Sequence, residues 1–93
     1  MEQIKFKNHI LVINFSRLEK VLNLVLELKS DRSSKDKPIV VIDETLEELP
    51  KELLQHDVYF VKGNATSEST LLQANIKKAT HAIVLSKEPS NFH

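Results

Sequence analysis

Residues that could bind a phosphate group lie in the turn after the first apolar run, Ile10–Ile13. Nucleotide-binding folds place a G-x-G-x-x-G turn at this point, because glycines let the backbone approach the phosphates closely. The three glycine positions are occupied here by Asn14, Ser16 and Glu19. A side chain at the second position crowds a pyrophosphate, and a carboxylate at the third repels it. The turn therefore predicts a structural connection without a dinucleotide diphosphate, and it leaves open a smaller or differently placed nucleotide.

The residue that follows the second apolar run, Ile39–Ile42, carries a carboxylate that could bind a ribose. In dinucleotide-binding folds an acidic residue at this position accepts hydrogen bonds from ribose hydroxyl groups. Here the residue is Asp43, and Glu44 follows at once. Such a pair is also typical of the first turn of a helix, where carboxylates accept backbone N–H bonds. We favour the helix-capping interpretation and keep ribose binding as the alternative.

The third candidate position follows the apolar run Val58–Val61 and contains the only glycine of the chain. Gly63 predicts either a positive φ angle or a close approach of another group to the backbone. On chemistry alone the segment predicts a tight turn from a strand to a helix, with Ser67 as a possible cap. The residues of the segment are Gly63, Asn64, Ala65 and Thr66.

The sequence shows no pattern for catalysis or for metal binding. It has no cysteine, which excludes thiolate metal sites, iron–sulfur clusters and a cysteine nucleophile. It also has no P-loop and no nucleophile elbow. The four histidines lack metal-ligand spacing, although His9 and His81 precede the first and fourth apolar runs and could form a pH-sensitive pair. We therefore expect no enzyme activity and no metal site.

The length and the charge of the chain limit its class. Ninety-three residues are enough for one small domain. Thirteen Lys and Arg residues balance thirteen Asp and Glu residues, so the formal net charge is zero. A protein that wraps nucleic acid or binds an acidic membrane needs an excess of positive charge, and no apolar run approaches the ~18 residues that span a bilayer. We expect neither a nucleic-acid partner nor direct insertion into a membrane.

Four apolar runs alternate with helical patterns along the chain. Consecutive apolar residues are typical of strands that are covered on both faces. Ser16 and Glu19 have the spacing of a capping box, which predicts the start of the first helix. The polar stretch Ser30–Lys37 predicts an exposed loop, and Pro50 predicts a bend or restart in the second helix. The predicted strands are Ile10–Ile13, Ile39–Ile42, Val58–Val61 and Ala82–Leu85, and the predicted helices are Leu18–Leu28, Thr45–Gln55 and Ser67–Ala74.

The order β-α-β-α-β-α-β predicts an α/β fold, because right-handed crossovers place such strands in one parallel sheet. We expect a Rossmann-like sheet with helices on both faces, that is, a single three-layer domain. A full dinucleotide-type fold normally continues into further strands. We therefore expect a domain that is truncated after its fourth strand.

Two stretches of the sequence resemble the regulator of potassium conductance (RCK) domain, also called the TrkA N-terminal domain. Asn8–Ser16 looks like its opening strand, which a histidine commonly precedes in potassium channels. Val61–Leu85 is the stronger match, because the family writes this stretch as G-D-A/P-T, then L-x-x-A-x-I, then a short A-x-A strand. The matching residues here are Gly63, Ala65, Thr66, Leu71, Ala74, Ile76, Ala79 and Ala82.

The resemblance implies the N-terminal lobe of an RCK domain over residues 9–93, after a leader of residues 1–8 that resembles a pore-to-ring linker. It implies a cytoplasmic homodimer or larger gating ring, in which ligand binding and domain pairing control a potassium channel pore. The alternative is a nucleotide-binding regulatory subunit of a potassium uptake transporter, although such subunits usually retain the glycine-rich turn. A Rossmann-like enzyme fragment is a further alternative, but it needs a catalytic group that this sequence lacks.

Nucleotide-binding members of the family hold phosphate in the first turn and ribose at the acid after strand two, with the G-D-A loop near the base. By resemblance, these roles fall on Asn14 and Ser16, on Asp43, and on Gly63, Asn64, Ala65 and Thr66. The missing glycines argue against NAD, so the cofactor is open and a nucleotide is the candidate. Some channel members bind calcium through acids after strand four. Here that stretch, Ser86–Pro89, carries a lysine, and we carry over no calcium site.

Overall fold

The computed structural model describes residues 4–86, and what was predicted for residues 1–3 and 87–93 lies outside this range. Four strands and three helices alternate along the described chain, and a 3₁₀ helix precedes the last strand. The strands are β1 (Ile10–Ile13), β2 (Ile39–Asp43), β3 (Val58–Lys62) and β4 (His81–Val84). The helices are α1 (Leu18–Ser30), α2 (Lys51–Leu54) and α3 (Glu68–Gln73), and the 3₁₀ helix is Ile76–Lys78.

The four strands form one parallel sheet in the order β3-β2-β1-β4. In its register, Ile10 of β1 lies level with Ile39 of β2 and with His81 of β4. The chain steps outward from β1 to β3 and then crosses back to the other side of β1, as in one half of a Rossmann fold. The predicted fold class is therefore confirmed, with β4 beginning one residue earlier than expected.

Two core clusters occupy the two faces of the sheet, because successive strand residues point to opposite faces. The first cluster joins the strands to α1 and α2, and its fully buried members include Ile10, Val12, Val21, Val25 and Leu53. The second joins the strands to the end of α3, and includes Leu11, Val40, Ile42 and Ala74. Burial of each large apolar side chain contributes about 1.5–3 kcal/mol. The packing thus produces the predicted three layers.

Helix α1 begins at Leu18, as predicted, but Ser16 does not cap it. Arg17 occupies the N-cap position, and its side chain makes no capping hydrogen bond. The capping-box prediction is therefore wrong. Val21 and Val25, both fully buried, fix the helix to the sheet instead, since the packing of an apolar face supplies most of the stability of a helix in a protein.

The second helix is much shorter than predicted. Only Lys51–Leu54 is helical, and Pro50 stands at its N-cap, where the missing N–H and the fixed φ of proline are tolerated. Residues 44–49 form turns rather than a helix. Leu46 and Leu49 still pack against the first core cluster, and Leu53 is fully buried, as the apolar spacing predicts. The same spacing places Leu54 on the inner face, which is wrong, because this side chain is 59% exposed.

The polar loop Ser30–Lys37 is tied to α1 more firmly than its composition predicts. Ser34 is only 6% exposed, and its hydroxyl donates a hydrogen bond to the Leu28 carbonyl at 2.6 Å. The Lys29 Nζ donates to the Lys37 carbonyl at 2.7 Å. The prediction of an exposed loop thus holds for most of its residues and is wrong for Ser34.

Candidate functional site at the carboxyl edge of the sheet

The carboxyl ends of the strands form the edge at which the candidate residues lie. The strand order reverses between β1 and β4, because the chain steps outward from β1 to β3 and then re-enters the sheet on the other side of β1. In open α/β sheets, ligands bind in the crevice at such a switch point. This crevice is therefore the place where a ligand site is expected from the topology.

Asn14 lies at the switch point and joins three strands. Its φ angle is 78°, in the left-handed region that asparagine tolerates better than most residues. Its N–H donates to the Ile42 carbonyl at 2.8 Å, and its Nδ2 donates to the Leu85 carbonyl at 3.0 Å. Asn14 thus supplies the backbone conformation that a glycine would supply, and its side chain ties the end of β1 to the residue that follows β4.

The Ser16 hydroxyl is the unusual group of the first turn. Its Oγ is buried and has no hydrogen-bond partner within residues 4–86. An unpaired buried hydroxyl costs about 1–3 kcal/mol. The turn therefore holds a polar atom that could still pair with a bound group.

Asp43 is nearly inaccessible to solvent, with 3% of its surface exposed, and it braces two turns. Its Oδ1 accepts a hydrogen bond from the Phe15 N–H at 2.8 Å. Its Oδ2 accepts bonds from the N–H and hydroxyl of Thr45, at 3.0 and 2.9 Å, and from the Leu46 N–H at 2.9 Å. The carboxylate thus stabilises the turn after β1 and the turn after β2.

Burial raises the pKa of Asp43, but the hydrogen bonds from Phe15, Leu46 and Thr45 together outweigh burial. The net result is a pKa below the ordinary carboxyl value, so the carboxylate is charged at neutral pH. The capping interpretation is right in kind, because the carboxylate accepts N–H bonds from the residues that follow it. It caps a turn, however, and not the predicted helix.

Of the two roles predicted for Gly63, the structure shows the close approach of another group to the backbone and not a positive φ angle. Its φ is not positive, and a Cβ at this position would collide with the side chain of Thr70 in α3. Its N–H donates to the Asp43 carbonyl at 2.9 Å, which joins the ends of β2 and β3. The glycine therefore lets α3 pack closely against the end of β3.

The rest of the loop forms a turn held by one asparagine. The Asn64 Oδ1 accepts hydrogen bonds from the Thr66 N–H at 2.8 Å and from the Thr66 hydroxyl. Ala65 packs on the second core cluster. Ser67 stands at the N-cap of α3 without a side-chain capping bond. The exposed amide of Asn64 and the exposed Thr66 are the polar groups that this loop presents to solvent.

The structure brings the predicted positions together through Asp43. Its side chain bonds the segment that contains Asn14 and Ser16, and its backbone bonds Gly63. Sequence reasoning missed Lys62, whose Nζ donates to the Leu46 carbonyl at 3.0 Å and lies 3.5 Å from the Glu47 carboxylate. That contact depends on the pairing of Asp43 with Lys62 across β2 and β3, which no local sequence signal reveals.

The two histidines that the sequence suggested as a pair lie on opposite faces of the sheet. His81 is level with Ile10 and exposed, whereas His9 precedes Ile10 and so points the other way. Among residues 4–86, no group of three or more acidic or histidine side chains could hold a metal ion. None of the helices in that range has the length and apolar character needed to cross a bilayer.

Residues 5–92 match the family described as the calcium-activated potassium channel slowpoke-like RCK domain. The chain belongs to this family. The match covers both stretches on which the resemblance rested and extends between them. The RCK fold is also seen in the human SLO3 gating ring, which superposes with a TM-score of 0.67 at 27% identity over 92% of this chain.

Two relatives are potassium channel proteins by their names. The calcium-gated potassium channel TvoK of Thermoplasma volcanium is 28% identical over 87 residues, or 94% of this chain. The putative potassium channel protein YugO of Bacillus subtilis is 35% identical over 80 residues, or 86% of this chain. The chain spans 23% and 22% of the length of these relatives and 18% of the SLO3 chain.

Proposed function

We propose that this RCK domain is a non-enzymatic regulatory module of a potassium channel, on the cytoplasmic side of the membrane. The observation that supports the proposal is the joint likeness to potassium channel proteins in sequence and to a gating ring in fold. Such a module acts only if its ligand or partner binds two arrangements of the domains with different affinities. We therefore propose that it works as a homodimer or larger ring.

Within this role we propose the carboxyl edge of the sheet as the ligand-facing surface. Asn14, Ser16 and the loop of residues 63–66 border the switch point, and the buried Ser16 hydroxyl has no hydrogen-bond partner in the described part of the chain. The amide and hydroxyl groups of this edge suit the ribose or base of a nucleotide. Both Asp43 oxygens already accept hydrogen bonds from the protein, and the turn lacks the glycines that admit a pyrophosphate. We therefore propose that NAD does not bind in the usual dinucleotide manner.

The ligand proposal is tested by thermal-shift titration of the chain with NAD, NADH, ATP, ADP and calcium. A ligand at 100 times its dissociation constant stabilises the folded state by about 2.7 kcal/mol, which raises the melting temperature of a domain of this size by about 10–20 °C. We expect no shift with NAD or NADH. A shift with either would contradict our interpretation of the turn and favour the transporter-subunit alternative.

Matched serine variants separate the edge from the rest of the surface. Any nucleotide shift should be weakened in Ser16→Ala, whose hydroxyl lies in the first turn, and kept in Ser30→Ala, which is exposed at the last residue of α1, toward the opposite edge of the sheet. An equal shift in both variants would place the ligand elsewhere.

The gating role is tested by potassium flux from vesicles that contain the full-length protein. We compare the intact protein with one that lacks residues 9–86, in the presence and absence of the ligand found by titration, or of calcium when no nucleotide shifts the domain. The deletion should leave permeation and abolish its ligand dependence. Ligand-dependent flux that survives the deletion would contradict the proposal.

A further inference from the structure

Residues 4–8, called the strap below, run along α3 and the 3₁₀ helix on the second face of the sheet. The Ile4 N–H donates to the Gln73 carbonyl at 2.7 Å, and the Asn8 N–H donates to the Lys78 carbonyl at 2.8 Å. Both acceptors are the last residues of helices, whose carbonyls have no partner within the helix. The strap thus completes the hydrogen bonding of these two helix ends.

Two side chains fasten the strap to the end of α3. Asn75, which has a left-handed φ of 57°, donates from its Nδ2 to the Phe6 carbonyl at 2.7 Å. His9 is fully buried, and its Nε2 lies 2.8 Å from the Ala74 carbonyl. Because a carbonyl can only accept, the Nε2–H of His9 is the donor. The ring of Phe6 packs 4.7 Å from that of Tyr59 on β3.

Helix α3 connects this strap to the candidate loop of residues 63–66. The helix has six residues, which is only about 9 Å of length. At its first end, the Ser67 N–H donates to the Asn64 carbonyl at 2.9 Å, and Thr70 packs directly against Gly63. Because the helix is so short, a displacement of α3 changes its contacts with the loop and with the strap together.

We propose that the strap and the candidate loop are coupled through α3. The strap opens from α3 as a unit while the sheet stays folded, and the conformation of the loop sets how readily it opens. The side chains of Ile4 and Phe6 are only partly buried against the second core cluster, and a segment with few buried apolar contacts opens at lower free energy than a buried sheet. The functional role of this coupling rests on the proposed gating function. In that function, a ligand bound at the carboxyl edge of the sheet changes how readily the strap, which is part of the leader of residues 1–8, separates from α3.

Hydrogen exchange of the Ile4 and Asn8 amides, read by NMR on the whole chain, measures strap opening directly. In the unaltered chain both amides should exchange faster than the amides of β1 and β2 and slower than an unprotected peptide. Asn75→Gly keeps the left-handed backbone accessible and deletes the bond to Phe6. It should raise exchange at both amides about fivefold, as expected for one net hydrogen bond, and leave β1 and β2 unchanged.

The coupling is tested from the opposite end of α3. Asn64→Gly removes the side-chain acceptor that orders the loop, so the first end of α3 is held less firmly. Exchange at Ile4 and Asn8 should rise, by up to the about fivefold that one net hydrogen bond allows. Coupling between two sites is reciprocal. By the same reciprocity, Asn75→Gly should raise exchange at the Thr66 amide. The control Asn23→Gly makes the same substitution on α1, across the sheet, and should leave the strap amides unchanged.

Four results would overturn the proposal. The strap amides could exchange at the rate of global unfolding, which would mean that the strap does not open separately. They could exchange as fast as the amides of an unprotected peptide, which would mean that the strap is not held against α3. They could ignore Asn64→Gly, or respond equally to Asn23→Gly, which would remove the coupling. None of these measurements involves potassium flux, so they fail or succeed independently of the channel proposal.

Discussion

Replacing Asp43 by asparagine should destabilise the domain strongly, because the carboxylate accepts four hydrogen bonds while almost fully buried. An asparagine of the same shape offers one oxygen. That oxygen can serve Thr45 and Leu46, and the Nδ2 then faces the Phe15 N–H, donor against donor. An unpaired buried N–H costs about 1–3 kcal/mol, and the remaining bonds become neutral and weaker. We expect a loss of about 2–4 kcal/mol in the free energy of unfolding.

The assay is urea and thermal unfolding of both proteins, followed by circular dichroism, at a series of pH values. For a domain of this size, 2–4 kcal/mol lowers the melting temperature by about 10–25 °C. The pKa of Asp43 is lower when folded than the unfolded value of about 3.9. The stabilisation by the charged carboxylate is therefore present above pH 4 and lost as the pH falls through the folded pKa.

The unaltered protein should thus lose its advantage over Asp43→Asn in acid, where the protonated carboxyl resembles the amide. The control is Asp36→Asn, the same substitution at an exposed position of the polar loop, which should change the stability by less than about 0.5 kcal/mol. A difference between the unaltered protein and Asp43→Asn that is below 1 kcal/mol at pH 7, or that does not shrink in acid, would refute this account of the carboxylate.

Three further predictions concern packing and backbone conformation, each measured as the free energy of unfolding. Leu53→Ala should lower the free energy of unfolding by about 2–5 kcal/mol, because the side chain is fully buried. The control Leu54→Ala should lower it by less than about 0.5 kcal/mol, because Leu54 is 59% exposed. Equal losses in the two variants would show that α2 is placed wrongly. Gly63→Ala should cost about 1–3 kcal/mol through its collision with Thr70, and adding Thr70→Ala should cost less than the sum of the two single changes; strict additivity would exclude the contact. Asn14→Ala should be less stable than Asn14→Gly by about 1–2 kcal/mol, because alanine resists the left-handed φ of 78°; the reverse order would contradict that backbone angle.

The sequence determined the fold and the family of this protein. The strand signals are consecutive apolar residues, as in Ile39–Ile42, and these depend only on local composition, since a strand covered on both faces is apolar throughout. The matches in Asn8–Ser16 and Val61–Leu85 carry the family resemblance, and the slowpoke-like RCK match over residues 5–92 confirms it.

The sequence rules for helix capping and helical spacing failed where contacts between residues distant in sequence determined the backbone conformation. Ser16 has the right type and spacing for a cap, but the burial of Val21 and Val25 positions α1 without it. Residues 45–49 have helical spacing, but the Asp43 carboxylate, braced against Phe15 of the preceding turn, holds Thr45 and Leu46 in a turn. The apolar spacing identifies most of the buried side chains in both cases, but it also places Leu54 on the inner face, and this residue is 59% exposed because the second helix begins only at Lys51.

The candidate site itself was only partly visible in the sequence. Its positions, Asn14, Asp43 and Gly63, follow from the rule that parallel strands end at one edge. Their roles required the tertiary structure, because they depend on partners that are distant along the chain: Leu85 for Asn14, Phe15 for Asp43 and Asp43 for Gly63. Local spacing thus determined which elements form, whereas the hydrogen bonds between strand ends decided what each polar group at the edge can do.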